Sequence, residues 1–199
     1  MRNIFYGLML AMFLSALNQT IVATALPTIG REFGDFENLS WVIIAYLLSS
    51  TVVSPLYGKL SDIHGRRAMM LVAIGLFIAG SAASAAAPNM ALLIAGRTLQ
   101  GIGGGGIVPL VQTTIADMVT PRERGRYQAY MGTSWIVAGV GGPALGGLIA
   151  DHLHWSVIFW LNVPLGLIAA LLTHHSMKLL PRHDRRHQLD IVGAALMIA

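Results

Sequence analysis

Six long apolar runs follow one another along the chain, separated by short polar segments. They cover residues 4–26, 39–57, 68–87, 90–116, 127–150 and 155–173. A helix needs about 20 mostly apolar residues to cross the hydrocarbon core of a bilayer, and each run approaches or exceeds that length. The pattern therefore predicts an all-α transmembrane protein with six spanning helices.

Proline residues mark the expected ends of these helices. Pro27 is predicted to end the first helix, and Pro121 is predicted to open the loop after the fourth. Pro88 and Asn89 are predicted to link the third and fourth helices tightly. Because backbone groups in lipid must be hydrogen-bonded within the protein, these breaks are expected at the water interfaces.

Composition supports this assignment and excludes other classes. Hydrophobic residues make up 55% of the 199 residues and charged residues only 11%, whereas soluble domains carry about 25% charged residues. There is no Cys, which excludes a disulfide scaffold and a cysteine-ligated zinc or iron–sulfur site.

The basic residues predict the orientation. If the N-terminus is cytoplasmic, eleven of the 13 Lys and Arg residues fall in inner segments, while Arg31 lies outside and Arg97 lies within a span. The eleven are Arg2, Lys59, Arg66, Arg67, Arg122, Arg124, Arg126, Lys178, Arg182, Arg185 and Arg186. The positive-inside rule thus predicts a multi-pass cell-membrane protein with its N-terminus in the cytoplasm. This distribution also explains the net charge of +4, so nucleic acid is not an expected partner.

The end of the chain changes character twice. Residues 178–190 form a basic segment that is expected to be a cytoplasmic loop, and residues 191–199 are apolar again. Nine residues give about 13 Å of helix, less than half a bilayer. We expect a six-helix bundle over residues 1–177, the loop, and then the truncated start of a seventh helix; a short interfacial tail is the alternative for the last nine residues.

Arg97 is the one charged residue well inside a predicted span. A charge at this depth costs roughly 2.5–3.5 kcal/mol on insertion scales, so it is expected to face a cavity or a partner. Gln100 and Gly101 follow at helical spacing and share its face. The alternatives are that Arg97 extends outward to the interface or pairs structurally with backbone carbonyls.

Polar residues in the first two helices have two interpretations. Asn18 lies in a stripe of small and polar residues in the first helix, and Ser50 lies in a similar stripe in the second. Such stripes either join helices by hydrogen bonds or line a pore.

Residues 58–67 are expected to form a short, basic cytoplasmic loop. Asp62 and Arg66 are four residues apart and are predicted to pair, while Gly58 and Gly65 allow a close approach and a tight turn. Arg67 completes the basic end. A segment that only determines topology is the alternative.

Two groups of glycines indicate close helix packing. Gly101, Gly103 and Gly106 match a dinucleotide-binding pattern, but that pattern requires a preceding strand, which this helix does not provide. In the fifth helix the packing motif consists of Gly142, Pro143, Gly146 and Gly147. Pro143 is expected to bend that helix. No third metal ligand and no nucleophile–base set accompanies the seven His residues, so we expect neither an enzyme nor a metal or other cofactor.

Together these motifs resemble the major facilitator superfamily over essentially the whole chain. Residues 58–67 resemble its signature loop, residues 97–101 its proton-coupling motif, and residues 142–147 its exporter motif. Residues 17–27 and 162–166 resemble the fourteen-helix drug:proton antiporters of the EmrB/QacA type. The chain departs from that branch in having Asn18 in place of an Asp, Ser156 in place of an Arg, and Ala129 and Ala138 in place of Gly.

The resemblance implies the N-terminal half of such a transporter, built as two inverted three-helix repeats. It implies alternating access, with Asn18, Ser50, Arg97 and Tyr130 lining a cavity and the Asp62–Arg66 segment latching the inner gate. The implied partners are the lipid bilayer, a small lipophilic or drug-like substrate, protons and a missing C-terminal half. Because Asn18 cannot titrate, the proton-carrying acid is expected in that missing half. A proton-independent or differently coupled carrier and a non-transporting six-helix scaffold are the alternatives.

Overall fold

The computed structural model describes residues 2–176, and these residues form six long helices. The expectations for residues 178–199 lie outside the described residues. The helices are α1 (Arg2–Phe33), α2 (Trp41–His64), α3 (Arg66–Ala85), α4 (Met90–Met118), α5 (Pro121–His152) and α6 (Val157–Ser176). All six are long and apolar enough to cross a membrane, which confirms the predicted all-α transmembrane fold.

Pro27 does not end the first helix. α1 continues for six residues beyond it, to Phe33, because a proline removes only one helix hydrogen bond and the next turn can still form. The added turns make contacts with the α5–α6 link: Glu32 Oε1 lies 3.4 Å from His154 Nε2, and the rings of Phe33 and Trp155 are 5.5 Å apart.

Pro121 does not open a loop either. It is the first residue of α5, where its missing N–H costs no helix hydrogen bond. Thr120 and Glu123 form a capping box at this end of α5. Only two residues, Val119 and Thr120, separate α4 from α5. The predicted tight link at Asn89 is confirmed, since its side chain accepts a hydrogen bond of 2.9 Å from the backbone N–H of Leu92 and caps α4.

The packing of the helices has an internal symmetry. α1 packs on α5 and α6, while α4 packs on α2 and α3, and α3 and α6 pack on each other. Exchanging the first three helices with the last three leaves this pattern unchanged. The arrangement is that expected of two three-helix repeats related by an approximate two-fold axis.

Glycines allow α4 to lie close to both neighbours. A Cβ on Gly103 would overlap the backbone of Phe77 in α3, and a Cβ on Gly105 would overlap the backbone of Ser50 in α2. Gly101 lies against the carbonyl of Tyr46 in the same way. The glycines therefore serve helix packing, which was the preferred interpretation of their pattern.

Two large apolar clusters fill the bundle, one towards each end, and a small third cluster lies between α1 and α5. One large cluster is formed by residues such as Leu8, Met12, Met70, Phe77 and Val111, and the other by residues such as Val22, Ala25, Leu93, Trp155 and Phe159. Along α1, α3, α4 and α6 a buried polar residue lies between the two large clusters in sequence, and these residues make up the candidate site.

Candidate functional site

Arg97 is buried in the centre of the bundle, with 1% of its surface exposed. Its Nε donates a hydrogen bond of 2.9 Å to the carbonyl oxygen of Val42 in α2, and its Nη1 donates to Oε1 of Gln100. The side chain therefore does not extend outward to the interface. It pairs with a backbone carbonyl, which was one of the alternatives, and with Gln100, whose shared helix face was predicted.

Two aromatic rings cover the guanidinium. Its carbon lies 4.4 Å from the centre of the Tyr46 ring and 5.8 Å from that of Phe159. Tyr46 is itself buried, and its hydroxyl lies 3.4 Å from the Oγ of Ser15 in α1. Desolvated contacts of this kind stabilise a cation by about 2 kcal/mol, and they hold the charge where no carboxylate of residues 2–176 pairs with it.

Gln100 and Asn18 extend the contact to three further helices. Nε2 of Gln100 donates to Oδ1 of Asn18 at 3.1 Å and also to Oγ of Ser81 in α3. Nδ2 of Asn162 in α6 donates to the same Oδ1 of Asn18 at 3.0 Å. We call Asn18, Ser81, Arg97, Gln100 and Asn162 the polar layer. Together with the Val42 carbonyl it joins α1, α2, α3, α4 and α6.

The sequence predicts Asn18, Arg97 and Gln100 as residues of one site, and the structure adds Ser81 and Asn162. Asn162 is a single buried amide inside an apolar helix, and that isolation is the signal by which the sequence could have revealed it. Ser81 is one of two buried serines in α3, the other being Ser84, and no pattern distinguishes it. Gly101, also predicted here, contributes a close approach to Tyr46 rather than a polar group.

Ser50 and Tyr130 lie away from the polar layer. Oγ of Ser50 donates to the carbonyl of Leu47 in its own helix at 2.9 Å. Tyr130 is 41% exposed, and its hydroxyl accepts a hydrogen bond of 3.0 Å from Arg126. Its ring belongs to an aromatic cluster with Phe5 and Tyr127, beside a shallow pocket between the ends of α1, α4 and α5. A role of either residue in lining a passage stays a prediction.

The prediction of a loop over residues 58–67 is wrong, because α2 continues to His64 and α3 begins at Arg66. One residue, Gly65, separates the two helices, and its φ of +88° suits glycine. The predicted pair is present, with Arg66 Nη2 2.8 Å from Asp62 Oδ1. Arg66 also reaches Oδ2 of Asp117 at the end of α4, at 3.1 Å, and Oγ of Ser61. Asp117 is a site residue that the sequence did not reveal, because its partner is 51 positions away.

The remaining residues of this segment differ in their surroundings. Arg67 Nη2 lies 3.1 Å from Nδ1 of His174, which joins α3 to the end of α6. A Cβ on Gly58 would meet nothing within 4 Å. The close approach expected at Gly58 is therefore not made within residues 2–176.

Half of the predicted packing motif in α5 contacts α1. A Cβ on Gly142 would overlap the side chain of Thr20, and one on Gly146 would overlap that of Thr24. The Oγ1 of Thr20 also donates across the interface to the carbonyl of Ala138, at 2.8 Å. Pro143 is exposed, and a Cβ on Gly147 would meet nothing within 4 Å, so Gly147 makes no close approach to another described helix.

The chain matches the model of the Major Facilitator Superfamily over residues 8–192. It is 36% identical over 201 residues to the MFS-type efflux pump LUC4 of a Fusarium species, covering 98% of this chain and 36% of that protein. It is 43% identical over 165 residues to the multidrug transporter protein MdtP of Bacillus subtilis, covering 83% and 30%. The chain thus spans about a third of the length of these relatives.

A solved structure shares the architecture. The human organic anion transporter MFSD10 superposes with a TM-score of 0.78 at 23% sequence identity, over 98% of this chain and 52% of that one. At this identity the likeness concerns the fold alone.

Proposed function

Because the chain belongs to the Major Facilitator Superfamily, a family of membrane transporters rather than enzymes, we propose that it forms the N-terminal half of a secondary transporter that exports drug-like molecules in exchange for protons. The names of its relatives, an efflux pump and a multidrug transporter, support the direction of transport and the kind of substrate. The EmrB/QacA-type branch of fourteen helices is part of this proposal and rests on residues 17–27 and 162–166.

The polar layer is the observation that carries the proposal. It places a buried charge at mid-helix and ties five of the six described helices to it. Alternating access requires a half-transporter to move as one body against its partner, and a charged residue inside a membrane is by default functional. The polar layer supplies hydrogen bonds between these helices and the buried charge.

The partner surface is expected on α2 and α5, the least buried of the six helices. Exposed apolar residues cover both of them, among them Leu47 and Leu48 on α2 and Ile136 and Val140 on α5. We propose that lipid and the C-terminal half share these faces. The distribution of basic residues supports a cell-membrane location with the N-terminus in the cytoplasm.

The polar layer contains no group suited to carry the coupled proton. Arg97 keeps its proton at every useful pH, and Asn18 has none to exchange. Every Asp and Glu of residues 2–176 lies near a helix end or in a link. We therefore propose that the proton-carrying acid lies in the C-terminal half, and that Arg97 acts on it or on the substrate through its charge.

The segment around Arg66 is the proposed inner latch. Arg66 joins the ends of α2, α3 and α4 through Asp62 and Asp117. A contact at one end of the bundle that spans three helices holds their spacing there, which is what a gate on that side requires.

The test is efflux of Nile red, a neutral lipophilic dye, from cells that express the full-length protein. We expect efflux that a protonophore abolishes and that Arg97→Ala eliminates. Arg31→Ala is the matched control, because Arg31 is exposed and bonds only the Pro27 carbonyl of its own helix; it is expected to transport normally at equal membrane abundance.

The outcomes separate the alternatives. Normal efflux by the Arg97→Ala variant contradicts the role of the polar layer. Efflux that persists with the protonophore supports a differently coupled carrier, which Asn18 favours. If the purified protein moves no dye in liposomes under any gradient, the protein is a scaffold and not a carrier.

A further inference from the structure

The orientation of every amide in the polar layer follows from Arg97. A guanidinium has only donors, so Gln100 must present its oxygen to Arg97 and its NH₂ to the other side. That NH₂ donates to Asn18, so Asn18 must present Oδ1, and the donor from Asn162 requires the same. The polar layer is thus a relay of hydrogen bonds with a fixed direction, from Arg97 through Gln100 to Asn18.

The relay ends in a donor without an acceptor. Nδ2 of Asn18 is buried and has no hydrogen-bond partner among the described residues, while the residue as a whole is 0% exposed. Turning the amide over does not help, because Nδ2 would then face the two donors from Gln100 and Asn162. A buried donor without an acceptor is costly. Because Asn18 has no exposed surface, an acceptor from outside residues 2–176 can reach its amide only when the surrounding helices move apart.

The charge of the polar layer selects the kind of acceptor. Arg97 adds one positive charge, and the ion pairs found in residues 2–176 do not include it. The amides, the serine and the aromatic rings around Arg97 are neutral. An oxyanion satisfies the free donor and the uncompensated charge together, whereas a cation meets an unfavourable charge and no free acceptor on Asn18.

We propose that the polar layer receives an oxyanion, a carboxylate or sulfonate of the transported molecule, at the Asn18 amide, so that the transporter prefers anionic over cationic lipophiles. Asn18 is then the residue that determines specificity, and Asn162 is a positioning residue that fixes its amide. This inference rests on the proposed transport function and adds the substrate class.

A substitution at position 18 is expected to reverse the charge preference for the substrate. In Asn18→Asp, a carboxylate replaces the amide, accepts the same two hydrogen bonds and neutralises Arg97. The free donor disappears and a free acceptor takes its place. This single change is therefore expected to move the preference from anions towards cations.

The experiment uses the full-length protein in liposomes and two membrane-impermeant probes with the same ring and opposite fixed charges: 2-naphthalenesulfonate and 2-naphthyltrimethylammonium. We expect the wild-type protein to transport the sulfonate with a kcat/KM at least about tenfold higher, the ratio that one hydrogen bond to a charged group supplies. Asn18→Asp is expected to lower this ratio by about tenfold or more. Nile red flux is measured in parallel.

Asn89→Asp is the matched control. It makes the same change of amide to carboxylate at an exposed helix cap, where Asp serves as well as Asn, and is expected to keep the wild-type ratio. If Asn18→Asp does not fold, the ratio of the two kcat/KM values measured for the wild-type protein alone decides whether anions are preferred.

Each outcome decides between the claims. Equal transport of the two probes, as expected if a buried water occupies the acceptor position, overturns the inference, and so does a preference for the cation. An unchanged ratio in folded Asn18→Asp overturns the role of Asn18. If either of these results is accompanied by Nile red flux, the proposed transport function still holds. Absence of flux for all three probes contradicts both the transport function and the preference for anions.

Discussion

Replacing Gly103 with Ala tests whether the glycines of α4 set its distance to α3. The added Cβ would lie 2.8 Å from Cα and closer still to N of Phe77, and 2.5 Å from the carbonyl oxygen of Ala73. All of these atoms belong to the backbone of α3, so no side chain can turn away to make room. The two helices must move apart instead.

Gly75→Ala is the matched control for this change. Gly75 lies in α3, one of the same two helices, but a Cβ there would meet nothing within 4 Å. Alanine in place of glycine favours the helix by about 1 kcal/mol at both positions. At position 103 the overlap is expected to cost about 1–3 kcal/mol, as overpacking of a tight core does, and to cancel or exceed that gain.

The two variants are therefore expected to differ in unfolding free energy by about 1–3 kcal/mol, with Gly103→Ala the less stable. The measurement is thermal unfolding of the purified full-length protein in one detergent, with both variants side by side. Equal Tm values for the two variants would refute the conclusion that α3 and α4 are in backbone contact at Gly103.

Two further substitutions test other contacts of the site. Tyr46→Phe keeps the ring beside Arg97 and loses only the long hydroxyl contact with Ser15, so Nile red efflux is expected to remain near wild type. Tyr46→Leu removes the ring and is expected to destabilise the protein by about 0.5–2 kcal/mol and to impair efflux. Equal behaviour of the two variants would contradict a role for the ring. Asp117→Asn removes one carboxylate from Arg66 and is expected to lower stability by less than about 1 kcal/mol, because the pair is exposed. If the pair is part of the latch, the same variant shows faster exchange at the inner ends of α2 and α4 in hydrogen-exchange measurements, and unchanged exchange would argue against it.

The sequence was sufficient for the number of helices and for three of the five residues of the polar layer. Long apolar runs are a strong signal because a spanning helix must satisfy its own backbone, and Arg97 and Gln100 share a face through helical spacing alone. The helix ends at Pro27 and Pro121 were placed wrongly, since a proline is compatible with a helix interior and especially with a helix start.

The contacts that sequence could not reveal are those between distant helices. Asn162 is 144 positions from Asn18, and Asp117 is 51 from Arg66. No local periodicity connects such pairs, because they meet only through the packing of the helices. The free donor on Asn18 could be recognised only after the partners of its oxygen were known.

The order of the polar layer along the chain has a consequence for biosynthesis. Helices leave the ribosome and enter the translocon from the N-terminus onward, so Asn18 and Ser81 are already in place when α4 arrives with its costly guanidinium. The second donor to Asn18 arrives only with α6. Nascent chains that stop before Asn162 are thus expected to lack the second hydrogen bond to Asn18 in the polar layer. Membrane quality control can distinguish this state from the completed bundle.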